Sequence, residues 1–394
     1  MEGRARRGFA GTRAVRPSRK ILLVHQFGLD RVTGVRALLA ELLWRIPAAS
    51  EGTAVAFESF EGHDDADAFV AAVASRHGDA TTVVGVNLHA DLRFDYSIGV
   101  FDWCARSGRR VYLYVHDYYP THRVLLESLV ARYGCGLLAS TEYIRAAMRA
   151  DGFDVVLAPV GVPIGNVEQG PLPARDPSSP KVVGSIGRLV PRKRFGDVVT
   201  AFGSTGLAGR ASLHLRLTAS CVFGVEHDEE MIAGIRAESE RHRLGEFIRI
   251  DRSPTERSDY RGYDAYVCAS SYEGFSMTPI EAAYSGCPPL MSDIPAHLAI
   301  ARTLFPGRAG DFLFAMGDTR SLARLMADEL ESGRRATYLR GRLAEVRELV
   351  ESHLSPRRTA EVLVALADQR STSSPAHASE HAQGVTRGEI GNPT

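Results

Sequence analysis

Lys181-Val182-Val183-Gly184-Ser185-Ile186-Gly187 is a short apolar run that leads into a basic turn, and it repeats in kind Lys20-Ile21-Leu22-Leu23-Val24-His25 near the start of the chain. Runs of this type suit strands buried on both faces of a parallel sheet. Downstream of Lys20, further strands are predicted at Thr53–Glu58, Thr82–Asn87, Arg110–His116 and Gly136–Ser140. Helix-period segments separate them at Val35–Trp44, Asp65–Arg76, Arg123–Tyr133 and Glu142–Ala150. Downstream of Lys181 the same alternation returns. Strands are predicted at Leu213–Thr218, Phe247–Ile250, Ala265–Ala269 and Pro289–Met291, and helices at Asp197–Gly203, Glu229–Arg243, Pro279–Tyr284 and Leu322–Leu330. Strand-then-helix alternation in two blocks predicts an α/β chain of two Rossmann-like, doubly wound domains facing each other across a cleft.

The proline- and glycine-rich stretch 159–180 reads as the linker between them. The expected organisation is a basic leader (1–19), a first domain (20–158), the linker, a second domain (181–369) and a polar tail (370–394). The second domain closes with three amphipathic helices, the last expected near the junction of the lobes. The leader has no apolar core and so is not a secretory signal. Its arginines suit either a solvated segment or peripheral contact with an anionic membrane. The tail is too poor in large apolar residues to order itself.

The chain has 394 residues, 44% of them hydrophobic and 24% charged, which fits a soluble globular protein of about two domains. Lys+Arg and Asp+Glu balance at 47 each, so net charge gives no case for nucleic-acid binding. No run of apolar residues is long enough to span a membrane. Cys104, Cys135, Cys221, Cys268 and Cys287 are odd in number and widely spaced. They read as buried free thiols, which fits a reducing cytoplasm, rather than as a disulfide framework or zinc site.

No G-x-G-x-x-G follows a strand and no P-loop is present, which disfavours dinucleotide oxidoreductases and P-loop NTPases. No metal site is implied. His63-Asp64-Asp65 and Glu226-His227-Asp228-Glu229-Glu230 fit acidic first turns of helices better than a metal cluster. The informative stretch is Tyr272-Glu273-Gly274-Phe275-Ser276-Met277-Thr278-Pro279-Ile280-Glu281-Ala282, which follows a predicted strand. Thr278, Pro279 and Glu281 have the spacing of a capping box with proline at the first helical position. A glycine loop running into a helix N-terminus offers amide hydrogens to an anion, and two carboxylates at its rim suit sugar hydroxyls. That combination fits a nucleotide diphosphate sugar.

These residues resemble the Glu-x7-Glu motif of the family-four retaining glycosyltransferases of the GT-B fold (glycosyl transferases group 1). The resemblance continues through Gly286-Cys287-Pro288-Pro289 and Ser292-Asp293-Ile294-Pro295-Ala296. It implies that Glu273 contacts the donor sugar and supports the positive charge at its anomeric carbon, and that Glu281 holds ribose hydroxyls. Gly274, Phe275, Ser276, Met277 and Thr278 would line the same site. Gly187-Arg188-Leu189 and the turn ending at Lys193 resemble the segment whose arginine and lysine contact the donor diphosphate. Arg192 and Arg194 depart from it, since Glu and Gly are usual there. Thr33-Gly34-Val35 partly resembles the family's Gly-Gly loop, with Gly34 near the donor phosphate or the acceptor. His116, at the end of a predicted strand, matches a family histidine that faces the donor sugar. Asp117 either orients it or caps a helix, and Tyr118, Tyr119 and His122 form an acceptor wall or ordinary packing.

The resemblance implies transfer of a hexosyl group from a UDP- or GDP-sugar to an acceptor hydroxyl, with retention and without a metal or further cofactor. The acceptor would be lipid-linked, a polysaccharide or a small molecule. The alternatives are a sugar-nucleotide epimerase, a phosphorylase, or a catalytically silent nucleotide-sugar-binding protein.

Overall fold

The computed structural model describes residues 19–29, 34–90, 94–167, 179–220, 223–252 and 259–369. Cys221, Thr33, the first 18 residues of the leader and the tail from Arg370 lie outside the described residues.

Six strands form the first sheet: β1 (Arg19–His25), β2 (Thr53–Ser59), β3 (Thr82–Val86), β4 (Arg110–Val115), β5 (Gly136–Ala139) and β6 (Val155–Leu157). Their order is β2-β1-β3-β4-β5-β6 and every pairing is parallel. The second sheet holds β7 (Lys181–Arg188), β8 (Ala211–Thr218), β9 (Ile248–Asp251), β10 (Ala265–Cys268), β11 (Pro289–Ser292) and β12 (Leu313–Phe314). Its order is β12-β11-β10-β7-β8-β9, again all parallel. The expectation of two doubly wound lobes is met.

The apolar runs account for this. Ile21, Leu22, Leu23 and Val24 are all fully buried. Leu22 and Val24 join one core layer, and Ile21 and Leu23 the layer on the opposite face of the sheet. Order reverses between β1 and β3 in the first sheet and between β7 and β10 in the second, so a crevice opens beyond the carboxyl ends of those strands.

The last helix departs from the expected domain boundary. Pro356–Asp368 packs on the first lobe, with Ala360, Leu363, Leu366 and Ala367 in the same cluster as Ile21 and Leu23. Arg110 on β4 donates to the carbonyls of Leu366 and Ala367. The chain therefore crosses between lobes twice, and the crossings touch. Val162 N–H donates to Leu354 O at 2.7 Å, and Thr359 Oγ1 donates to Pro159 O at 2.6 Å. A Cβ on Gly161 would lie 2.0 Å from Pro356 N, so only glycine permits this approach. Part of the expected linker is thus packed, with Val160, Val162 and Val167 buried.

Candidate active site

Arg188 is the last residue of β7 and sits half-buried at the mouth of the crevice. Leu189 and Val190 then turn into the core, and a single turn, Pro191–Lys193, follows. Arg194 ends that turn with φ 51° and ψ 43°, a left-handed conformation that a glycine enters freely and a side chain enters at a cost of roughly 1–2 kcal/mol. Its Nε donates to Asp197 Oδ2 at 2.7 Å. The turn thus keeps its shape although arginine stands where the family has glycine.

Lys193 and Arg192 both reach Glu273, from the loop that follows β10. Lys193 Nζ lies 2.7 Å from Glu273 Oε1, and Arg192 Nη1 lies 2.8 Å from Oε2. Ser270 Oγ adds a third hydrogen bond, 2.7 Å to Oε1. Burial pushes the Glu273 carboxyl up, and the two cations more than reverse this, holding it at about 2. A buried carboxylate with both oxygens engaged by cations is a fixed charge.

Glu281 is buried and accepts from Tyr260 Oη at 2.6 Å. Burial raises its carboxyl, and Tyr260 and Lys193 offset that only in part. The capping-box expectation is corrected here. The helix is Met277–Tyr284 with Ser276 at its N-cap, so Thr278 and Pro279 lie inside the first turn and Glu281 bonds a tyrosine. The turn begins earlier because Ser276 is anchored below it, with its Oγ 3.1 Å from His297 Nε2. Cys268, at the end of β10, lies 3.5 Å from the same nitrogen. Burial raises the Cys268 thiol and His297 more than reverses it, leaving the thiol below its ordinary range. Cys104, Cys135, Cys268 and Cys287 are all buried and free.

The loop bearing Glu273 is also the seam between the lobes. Phe275 and Met277 pack against core clusters of both. A Cβ on Gly274 would lie 1.7 Å from His116 O. Tyr272 Oη accepts from Tyr118 N–H at 3.0 Å and donates to Tyr118 O at 3.1 Å, while its ring packs on Tyr119 with centroids 4.4 Å apart. Tyr143 Oη donates to Glu273 O. Tyr118 and Tyr119 therefore form a lobe-to-lobe contact, which decides in part between packing and acceptor wall.

His116, just beyond β4, is buried with its ring 4.3 Å from that of Tyr114 and its backbone N–H on Asn87 Oδ1 at 2.8 Å. Its Nε2 is buried with no hydrogen-bond partner, as is Nδ1 of nearby His89. Burial, with His25 and His89 alongside, pushes His116 down to about 3. Burial and His122 do the same to His89. Both rings are neutral at physiological pH, so His116 is a hydrogen-bonding group rather than a strong base.

These shifts have a sign. Between about 3 and 6.5 the unfolded chain binds protons at these imidazoles that the folded chain refuses, so folding stability rises with pH across that window. The thermal midpoint is expected to climb from pH 3 to 6.5, with a shallower climb in His89→Gln. An unaltered slope in that variant would remove His89 as a source.

The structure thus brings Lys193, Glu273, Gly274 and His116 into one place, with Glu281 and Arg188 beside them. Gly34 opens a first-lobe helix, Gly34–Ala49, after residues that are not described. Phe275 and Met277 serve the seam, and Ser276 serves the anchor beneath it. Of the acidic segments, Asp64-Asp65 sits at a helix start as expected, whereas the second helix begins at Gly224 rather than Glu229, so Glu226 falls in its first turn and Asp228 in its second. Asp65 caps its helix through Ala68 N–H, and Asp228 accepts from Ser220 N–H. Sequence reasoning did not single out Ser270, Tyr260, Tyr143 or His297. It noted Arg192 only as a departure, although its place beside Lys193 was the available signal.

Residues 173–342 match the family model of the glycosyl transferases group 1. No curated protein matches the sequence. Solved structures with the same architecture include sucrose-phosphate synthase from Thermosynechococcus elongatus, 15% identical, with a TM-score of 0.68 over 88% of this chain and 98% of that one. Anabaena HepE in complex with UDP is 14% identical, with a TM-score of 0.65 over 88% of this chain and 98% of that one. An E. coli trehalose-6-phosphate structure bound with UDP-2-fluoro glucose is 13% identical, with a TM-score of 0.60 over 89% and 99%. At these identities the likeness establishes the fold, and the family match establishes the second lobe. That lobe is a glycosyl transferases group 1 domain, and the chain as a whole has the two-lobed architecture of the GT-B glycosyltransferases.

Proposed function

We propose that the protein transfers a hexosyl group from a UDP- or GDP-sugar to an acceptor hydroxyl with retention of configuration. The observation that carries this reading is the buried Glu273 carboxylate, gripped by Lys193 and Arg192 at the mouth of β7 and β10, with its neighbour Gly274 packed against the His116 carbonyl of the other lobe. Arg188, Lys193 and the first-turn amides of helix Met277–Tyr284 hold the diphosphate. As the glycosidic bond breaks, negative charge develops on the leaving phosphate, and fixed cations stabilise it without reorganising. Glu273 binds donor hydroxyls and supports the cationic anomeric carbon. Glu281 takes the ribose hydroxyls, and His116 hydrogen-bonds the sugar through its neutral imidazole. With no carboxylate assigned as nucleophile, the acceptor attacks the face the leaving group departs from. The cationic side chains carry the electrostatic work on the diphosphate in this scheme. The acceptor is lipid-linked, a polysaccharide or a small molecule, in cell-envelope polysaccharide or glycolipid synthesis or in secondary metabolism, and the transfer takes place in the cytoplasm with peripheral contact at the anionic inner face of the membrane. Among the described residues no helix is long and apolar enough to cross a membrane.

UDP donors are the first to test, since two of the similar structures hold UDP or a UDP-sugar analogue. A panel of UDP- and GDP-sugars is expected to yield one donor that raises the thermal midpoint and is slowly hydrolysed to the nucleoside diphosphate. Binding without release of UDP or GDP would leave a silent binding protein, and dependence on inorganic phosphate would indicate a phosphorylase.

A further inference from the structure

Two carboxylates lie at the seam between the lobes. Asp117 belongs to the first lobe, and its Oδ1 lies 2.6 Å from where a Cβ of Gly274 would stand. Gly274 is the neighbour of Glu273, whose charge acts on Asp117. Glu273 is buried and Asp117 half-buried, so their like charges repel more strongly than in open water. One cationic side chain on the second lobe is held beside Glu273 at this seam. Arg192 Nη1 donates to Glu273 Oε2 at 2.8 Å and to Tyr272 O at 2.9 Å, and its charge is the strongest of those acting on Asp117. Its own carbonyl accepts from Ser271 N–H at 2.8 Å, so both ends of the residue are tied to the seam loop. Lys193 engages the other Glu273 oxygen.

We propose that Arg192 is a positioning residue that makes the closed cleft electrostatically stable by neutralising Asp117 and Glu273 as the lobes meet. It acts through Glu273 and the seam. The closure claim rests on the hold of Arg192 on Glu273 and Tyr272 and on the approach of Asp117 to Gly274 across the seam, and its bearing on transfer rests on the role proposed above for Glu273. The residue type is specific to this turn: a neutral or acidic side chain there would leave the two carboxylates facing each other with Lys193 as the only cation on Glu273.

The test needs no substrate. Hydrogen exchange of the amides at 116–119 and 272–276, with small-angle scattering of the full chain, reads the seam directly. Arg192→Gln is expected to speed exchange there about tenfold, equivalent to ~1.4 kcal/mol of lost seam stability, and to enlarge the scattering dimensions. Arg192→Lys keeps the charge and is expected to stay near wild type. Adding Asp117→Asn to Arg192→Gln removes one of the two repelling charges and is expected to restore closure. Wild-type exchange in Arg192→Gln overturns the proposal. So does an opened seam that Asp117→Asn fails to restore, which would leave only the hydrogen bond to Tyr272 O. Because these readouts involve no turnover, failure of the transferase assignment leaves them interpretable.

Discussion

Lys193→Ala is expected to lower the rate of sugar transfer and of donor hydrolysis by about 10²–10³-fold, the usual consequence of removing one fixed group that stabilises transition-state charge. The fold survives the change for a stated reason. Glu273 keeps Arg192 at 2.8 Å and Ser270 at 2.7 Å, so its carboxylate is not left bare. The aliphatic stem of Lys193 packs beside Gly187, where a Cβ on the glycine would lie 3.4 Å from its Cε, so the truncation also opens a small gap at the end of β7. The loss therefore falls mainly on kcat, with a thermal midpoint within a few degrees of wild type. Lys193→Arg restores the charge with a planar fork in place of a compact ammonium, and is expected to recover only part of the rate. Transfer at near wild-type rates in Lys193→Ala would remove the lysine from the diphosphate site and with it the main support for the proposed chemistry.

Much of this arrangement is legible in the residues. The central strands of both sheets are short apolar runs, and burial on both faces leaves such runs no other use. The helix Phe94–Arg106 is not among the predicted segments, although Tyr96, Val100, Phe101, Trp103 and Cys104 recur at helical spacing along its buried face. The edge strands β6 and β12 span three and two residues, too few to show alternation. At the site, Glu273 and Lys193 are legible as chemistry, but their union is not. Arg192 and Glu273 are 81 positions apart, and only the parallel packing of β7 against β10 sets their loops side by side. The departures from the family pattern at Arg192 and Arg194 read as doubts about geometry in the sequence, whereas in the fold one is a partner of Glu273 and the other simply adopts the left-handed turn. The closing helix lies at the junction of the lobes, where the sequence places it, but it packs on the first lobe rather than on the domain it follows. Its apolar face matches the first lobe's sheet, and Arg110 fixes it there, far from its neighbours in sequence.

Gly274→Ala separates closure from nucleotide binding more sharply than any charge change. Gly274 is not among the glycines with positive φ, so alanine is compatible with the local backbone and the second lobe folds as before. The atoms nearest the added methyl all lie across the seam, where it would stand 1.7 Å from His116 O and 2.6 Å from Asp117 Oδ1. A backbone carbonyl cannot swing aside as a flexible side chain can, so the lobes must stop short of contact. An offset of about 1 Å between reacting groups is enough to lower a rate by about 10²-fold. The residues assigned to the diphosphate, Arg188 and Lys193, lie in the second lobe and are untouched, so the affinity for UDP or GDP is expected to hold while kcat falls. His116, in contrast, is carried away from the sugar with the rest of the first lobe. An equal loss of nucleotide affinity would mean that the nucleotide itself spans both lobes. An unchanged kcat would mean that transfer occurs with the cleft ajar, and that the contact of Gly274 with His116 has no part in assembling the site.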